Sequence, residues 1–120
     1  QYYRKTGNKA YEGHFKNGER DGQGRAYFDN GHIKYQGEWK KSLFDGHGTT
    51  YHPCEASYKA HEGHFKEGEK HGNGTEYFDT GNVSIQGEWK EGLLDGHVTK
   101  YHRKTGNKAY EGHFNKGKKD

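Results

Sequence analysis

Aliphatic residues, cysteine and proline are all scarce in this 120-residue sequence. Leu, Ile, Val and Phe together number 13, and there is one Cys, one Pro and no Met. So little aliphatic side chain excludes a large oil-like core. No run approaches the roughly 18 consecutive apolar residues of a membrane-spanning helix, and the first residues carry no apolar stretch of the signal-peptide kind, so the segment is expected to be soluble. Cys54 has no second cysteine with which to close a disulfide, which favours a reducing, cytoplasmic setting. Two sequons, Asn73-Gly74-Thr75 and Asn82-Val83-Ser84, point the other way, although glycine- and threonine-rich turns produce such triplets by chance.

Disorder is excluded by what is present. Aromatics make up 15% of the chain, and the net charge is only +3, from 20 Lys and Arg against 17 Asp and Glu. Glycine contributes 20 residues, which with a single proline implies a backbone needing glycine at fixed places rather than a Gly/Pro-rich coil.

Those fixed places repeat. Tyr11-Glu12-Gly13-His14-Phe15 recurs as Tyr35-Gln36-Gly37-Glu38-Trp39, His61-Glu62-Gly63-His64-Phe65, Ile85-Gln86-Gly87-Glu88-Trp89 and Tyr110-Glu111-Gly112-His113-Phe114. A second half-motif follows at Asp21-Gly22-Gln23-Gly24, Asp45-Gly46-His47-Gly48, His71-Gly72-Asn73-Gly74 and Asp95-Gly96-His97-Val98, leading to Tyr27, Tyr51, Tyr77 and Tyr101. Phe-bearing and Trp-bearing units alternate, so the deeper period is about 50 residues. The units run 11–34, 35–60, 61–84 and 85–109, with partial units at 1–10 and 110–120. Residues 2–21 match 101–120 at 15 of 20 positions. The absent methionine and the part-units predict an excerpt of a longer array.

Within a unit the apolar period is two: Tyr35, Gly37 and Trp39 share one face, while Gln36, Glu38 and Lys40 share the other. That is a half-buried strand. Asn17-Gly18 or Glu67-Gly68 makes one reversal and Asp29-Asn30-Gly31 or Asp79-Thr80-Gly81 the next, so each unit predicts one β-hairpin and no helix. A lone hairpin is marginal in water, so the hairpins must share their apolar faces as an aromatic ladder, about 45 Å long for nine or ten strands. The central glycine is expected to leave a slot for an aromatic of the next unit.

This grammar of Tyr-x-Gly-x-aromatic, Gly turn, Asp-Gly-x-Gly and Tyr-x-Asp-x-Gly resembles the MORN repeat (membrane occupation and recognition nexus) over essentially the whole chain. Ser42 in place of a hairpin Gly, Val98 in place of the second Gly of its half-motif, and Pro53-Cys54-Glu55-Ala56-Ser57 depart from it. The resemblance implies an all-β, single-layer antiparallel β-hairpin solenoid. It would be non-enzymatic in itself and act as a scaffold or docking module for a protein partner or another copy of itself. It further implies an extended partner segment lying along aromatic and acidic positions, carried over to Tyr11, Phe15, Tyr35, Trp39, Phe65, Trp89, Tyr110 and Phe114. Pure structural stacking competes for the same residues. Tyr27 to Lys34 also resembles the longer variant repeat of bacterial proteins, some labelled antitoxin components, which adds the neutralising of a toxin as an alternative.

Other chemistry finds less support. Ten histidines invite a metal hypothesis, but His14, His64 and His113 are equivalent positions roughly 19 Å apart at ~4.8 Å per strand, too far to chelate, so no metal or other cofactor is expected. The repeated Glu12, Glu38, Glu62, Glu88 and Glu111 form a surface pattern rather than a tuned catalytic pair, and Cys54 with His52 lacks an orienting third group, so no enzyme activity or small-molecule substrate is expected. Nucleic acid is disfavoured because acids interrupt every basic cluster. Lys40, Lys41, Arg103, Lys104, Lys116, Lys118 and Lys119 are the candidates for anionic phospholipid, which needs several cations on one surface. Unpaired strand edges at both ends predict self-association into dimers or filaments.

Overall fold

A computed structural model describes residues 1–4, 6–53 and 58–119. Ten strands form one antiparallel sheet in chain order: β1 (Tyr11–Lys16), β2 (Glu19–Tyr27), β3 (Ile33–Lys40), β4 (Leu43–Tyr51), β5 (Lys59–Lys66), β6 (Glu69–Tyr77), β7 (Val83–Lys90), β8 (Leu93–Tyr101), β9 (Lys108–Asn115) and β10 (Lys118–Lys119). No helix occurs among the described residues, so none there is long and apolar enough to cross a membrane. The ribbon measures 43 × 30 × 18 Å and is not closed into a barrel. Cys54 to Ser57, including the thiol weighed above, lie outside the described residues.

The tight reversals are two-residue turns with both central residues at positive φ, for example Asn17 at 53° with Gly18 at 78° and Glu91 at 53° with Gly92 at 82°. This is the hairpin turn whose twist matches that of its strands. Lys41 and Ser42 adopt it too, at 50° and 65°, without glycine. Hydrogen bonds hold Ser42 there: its amide donates to the Arg20 carbonyl at 2.9 Å, and its hydroxyl accepts from the Arg20 amide at 3.1 Å. That departure from the repeat leaves the register undisturbed.

The Asp-Gly-x-Gly half-motif builds a bulge. Gly37 faces Gly48 and Trp39 faces Phe44, so two residues of β3 span four of β4. Gly46, at φ 98°, carries the extra length, and the Glu38 carboxylate fills the space where its side chain would stand. The bulge adds twist and turns Trp39 over the preceding hairpin.

Edge-to-face aromatic contacts bind the units into a ladder: Phe15 to Tyr11 at 5.1 Å, Tyr11 to Trp39 at 5.3 Å, Trp39 to Tyr35 at 5.1 Å, Tyr35 to Phe65 at 5.7 Å, Phe65 to His61 at 5.5 Å and His61 to Trp89 at 4.9 Å. Phe44 stacks flat on Tyr35 at 3.8 Å. Such contacts add roughly 0.5–1.5 kcal/mol each to area burial. The glycine slot, however, is filled differently from the sequence expectation. Tyr35 of the same strand lies over it: a Cβ on Gly48 would stand 2.1 Å from the Tyr35 hydroxyl, and one on Gly37 would stand 2.5 Å from the Gly48 Cα. The hydroxyl donates to the Glu38 carbonyl at 2.8 Å, a local bond within β3 that a neighbouring unit cannot supply. Tyr11 repeats this arrangement on Gly24 and His14. Aromatics of the next unit then close edge-on against the tyrosine.

Candidate functional site

Side chains alternate across each strand, so the face opposite the ladder carries the polar half of every unit. Cross-strand pairing lines up Glu12, Arg25, Gln36, Thr49, Glu62, Thr75, Gln86, Thr99 and Glu111 in one row over nine strands. Half-buried tyrosines border it. Tyr27 donates to Glu12 at 3.3 Å, Tyr77 to Glu62 at 3.4 Å and Tyr101 to Gln86 at 2.7 Å. Two shallow grooves open along the row, one of about 440 Å³ including Asn73, Gln86, Glu88 and His97, the other of about 200 Å³ including Glu12, Gln23, Arg25 and Gln36.

Two carboxylates of this face, Glu12 and Glu111, are strengthened acids. A hydrogen bond from Lys9 at 2.7 Å, and then its charge, hold Glu12 below its usual range. A hydrogen bond from His97 at 3.3 Å, then the charge of Lys108, do the same for Glu111. Neither is poised to give up a proton near neutrality. Glu38 and Glu88 have no Lys or Arg partner among the described residues; they accept the backbone amides of His47 at 2.8 Å and His97 at 3.0 Å.

Of the eight aromatic positions that the repeat grammar marks for a partner, Tyr11, Tyr35, Trp39, Phe65, Trp89 and Phe114 are buried in the ladder. Phe15, 49% exposed, and the half-buried Tyr110 are the two an incoming segment could touch without displacing packing. Tyr27, Tyr51, Tyr77 and Tyr101, visible in the sequence as strand-ending repeats, are instead the aromatics on the open polar face.

The seven candidate lipid cations are all exposed and fall into separate groups. Lys40 and Lys41 lie at the β3–β4 turn and Lys116, Lys118 and Lys119 at the β9–β10 turn, on one long edge but six strands apart, about 29 Å. Arg103 and Lys104 lie on the opposite edge, where Arg103 pairs with Asp79 and stacks over Phe78. Lys119 sits 4.3 Å over the Tyr110 ring.

Histidines take three different situations. His61 occupies the position that Tyr35 holds in its own unit and lies over Gly74. It is 2% exposed, and its Nδ1 has no hydrogen-bond partner among the described residues. Burial, then the charge of Lys70, push it down to about 4 against the opposing pull of Glu62; Glu76 is its cross-strand neighbour. The unfolded chain therefore binds a proton near pH 6.5 that the folded chain refuses, and stability present above pH 6.5 falls as the pH drops toward 4, by up to about 3 kcal/mol. Urea melts at pH 7.5 and 5 should show this loss, and His61→Tyr should abolish most of it; a flat profile for the parent chain would mean that His61 is solvated. His52, on a long edge, contacts the Tyr77 carbonyl through Nε2 at 2.9 Å.

The remaining arrangement lies on the polar face, where His47 stands directly opposite His64 and His97 opposite His113. Comparing equivalent positions, two units apart, could not find these pairs. The usable signal was the glycine register: placing Gly48 on Gly63 sets His47 against His64.

A family model described as MORN repeat matches residues 11–33, 35–53, 61–83, 86–97 and 110–120, most of the chain. No curated protein matches it.

Proposed function

The chain belongs to the MORN repeat family, and from that premise we propose that it is a non-enzymatic docking scaffold, working in the cytoplasm, that holds an extended basic segment of another protein across its polar face. MORN repeats make structural or binding modules. The observation that carries the reading is the unbroken polar row, bordered by half-buried tyrosines and set with carboxylates. On the same face, two residues along their strands from Gln36 and Gln86 of that row, Glu38 and Glu88 lack a Lys or Arg partner among the described residues. They sit four strands apart, about 19 Å, which six residues of extended chain span at roughly 3.1–3.3 Å each. Lys or Arg at that spacing would meet both, while the tyrosine rings would cover the aliphatic stems between.

Calorimetry with a synthetic extended peptide carrying two lysines six residues apart tests this. Glu38→Gln/Glu88→Gln keeps an oxygen acceptor for the His47 and His97 amides, so the fold should persist while affinity falls about tenfold and the salt dependence flattens. Equal binding by parent and variant, or by a peptide with glutamate at the two positions, would refute the docking mode. A second copy of the chain is the alternative occupant; light scattering across a concentration range would reveal it as growing mass, with the same double variant unaffected.

A further inference from the structure

The geometry points to two bis-histidine metal sites on the polar face: His47 with His64, and His97 with His113, each pair taking one divalent late transition-metal ion of the Ni²⁺ and Zn²⁺ class. In both pairs the histidines are direct cross-strand partners on adjacent strands, where Cβ atoms stand about 4.5–5.5 Å apart. The ring centres lie 5.5 Å apart at 88° in the first pair and 5.6 Å apart at 77° in the second. An ion about 2.1 Å from each ligand nitrogen is about 3.2 Å from each ring centre, so two rings subtending a tetrahedral angle have centres about 5.3 Å apart. Both pairs are thus near chelating separation.

All four rings are exposed, and among the described residues the one contact recorded at their ring nitrogens is His97 Nε2 with Glu111 Oε2 at 3.3 Å. Among the described residues no set of three or more potential ligands gathers tightly enough to enclose an ion, so each site would be two imidazoles completed by water. Imidazole selects nickel, copper and zinc over calcium and magnesium, which prefer all-oxygen shells.

The pairs are also built identically. In each, the first histidine follows a glycine at positive φ, Gly46 or Gly96, and its backbone amide is held by the carboxylate of Glu38 or Glu88. That fixes the strand from which the imidazole projects. Trp-type units supply His47 and His97, and the Phe-type units that follow supply His64 and His113, so a pair arises only where a Trp-type unit precedes a Phe-type one. His14 sits at the same place in its own unit as His64 but faces no histidine among the described residues. The two pairs are four strands apart, about 19 Å, and would load independently.

The test uses the full chain without a polyhistidine tag, titrated with Ni²⁺ alone while the histidine ring protons are followed by NMR. Paramagnetic broadening is expected at His47, His64, His97 and His113 before His14, with uptake of two ions per chain by calorimetry. His64→Gln and His47→Asn should each leave one ion, His64→Gln/His113→Gln none, and His14→Gln both. Urea melts confirm that each variant is folded; the two single variants attack the same pair from opposite strands, so a folding defect in one leaves the other informative. Nickel uptake by the double variant equal to that of the parent, broadening of His14 together with the pairs, or displacement of Ni²⁺ by equal Ca²⁺ would overturn the assignment.

Discussion

Gly48→Val is expected to remove about 3–5 kcal/mol of stability, a large share of what an ordinary domain possesses, whereas the same change combined with Tyr35→Ile should restore the protein to within about 1–2 kcal/mol of the parent. A side chain at position 48 would meet the Tyr35 hydroxyl at 2.1 Å and its ring carbons at 2.5 Å. Tyr35 is fully buried, stacked on Phe44 and edge-on to Trp39 and Phe65, so it has nowhere to retreat without breaking three contacts. The chain itself contains the compensated version. In the fourth unit Ile85 stands where the tyrosine would be, and Val98, fully buried, stands where the second glycine would be. The smaller Ile vacates the slot and Val fills it, so Val98 is one half of a paired exchange rather than a lapse in the repeat. Urea melts of the two single variants and the double variant form the required cycle. A double variant as unstable as the sum of the singles would show that slot and ring are independent.

Trp39→Ala should cost nearly as much, about 4–5 kcal/mol, and more than Trp89→Ala, at about 3 kcal/mol. Trp39 touches Tyr11, Tyr35 and Phe44 edge-on at 5.3, 5.1 and 4.9 Å, lies 5.1 Å under the Arg20 guanidinium, and donates its indole N–H to the Gly24 carbonyl at 3.1 Å. It therefore joins two hairpins by rings and by a hydrogen bond. Among the described residues Trp89 has one aromatic neighbour, His61 at 4.9 Å, and Lys70 at 5.9 Å, with Ile85 where Trp39 has Tyr35. Trp39→Phe, which keeps a ring and loses the donor, should cost only about 1–2 kcal/mol. Equal losses at Trp39 and Trp89 would mean that the ladder is no stronger where it is continuous. A loss below about 1 kcal/mol at Trp39 would mean that it is not the core.

Much of this was legible because hairpin chemistry is local. Asn17-Gly18 and Glu91-Gly92 announce their turns, and alternation around Gly37 assigns Tyr35 and Trp39 to one face and Glu38 to the other. The candidate sites were less legible. Burial of Trp39 and Phe65 depends on how far each bulge turns one hairpin over the last, and alternation carries no information about that. His61 reads as a polar residue in a tyrosine slot, yet it is packed and deprived of a partner because the slot is shaped by its neighbours.

The sequence by itself determined the strand order, the turns and the division of each strand into an apolar and a polar side, since these follow from φ preferences and a period of two over a few consecutive residues. Only the tertiary structure decided which tyrosine covers which glycine, which aromatics lose access to solvent, and which histidines meet. Those depend on register and twist between residues 13 to 30 positions apart in the chain, where a shift of one residue would send every side chain to the opposite face.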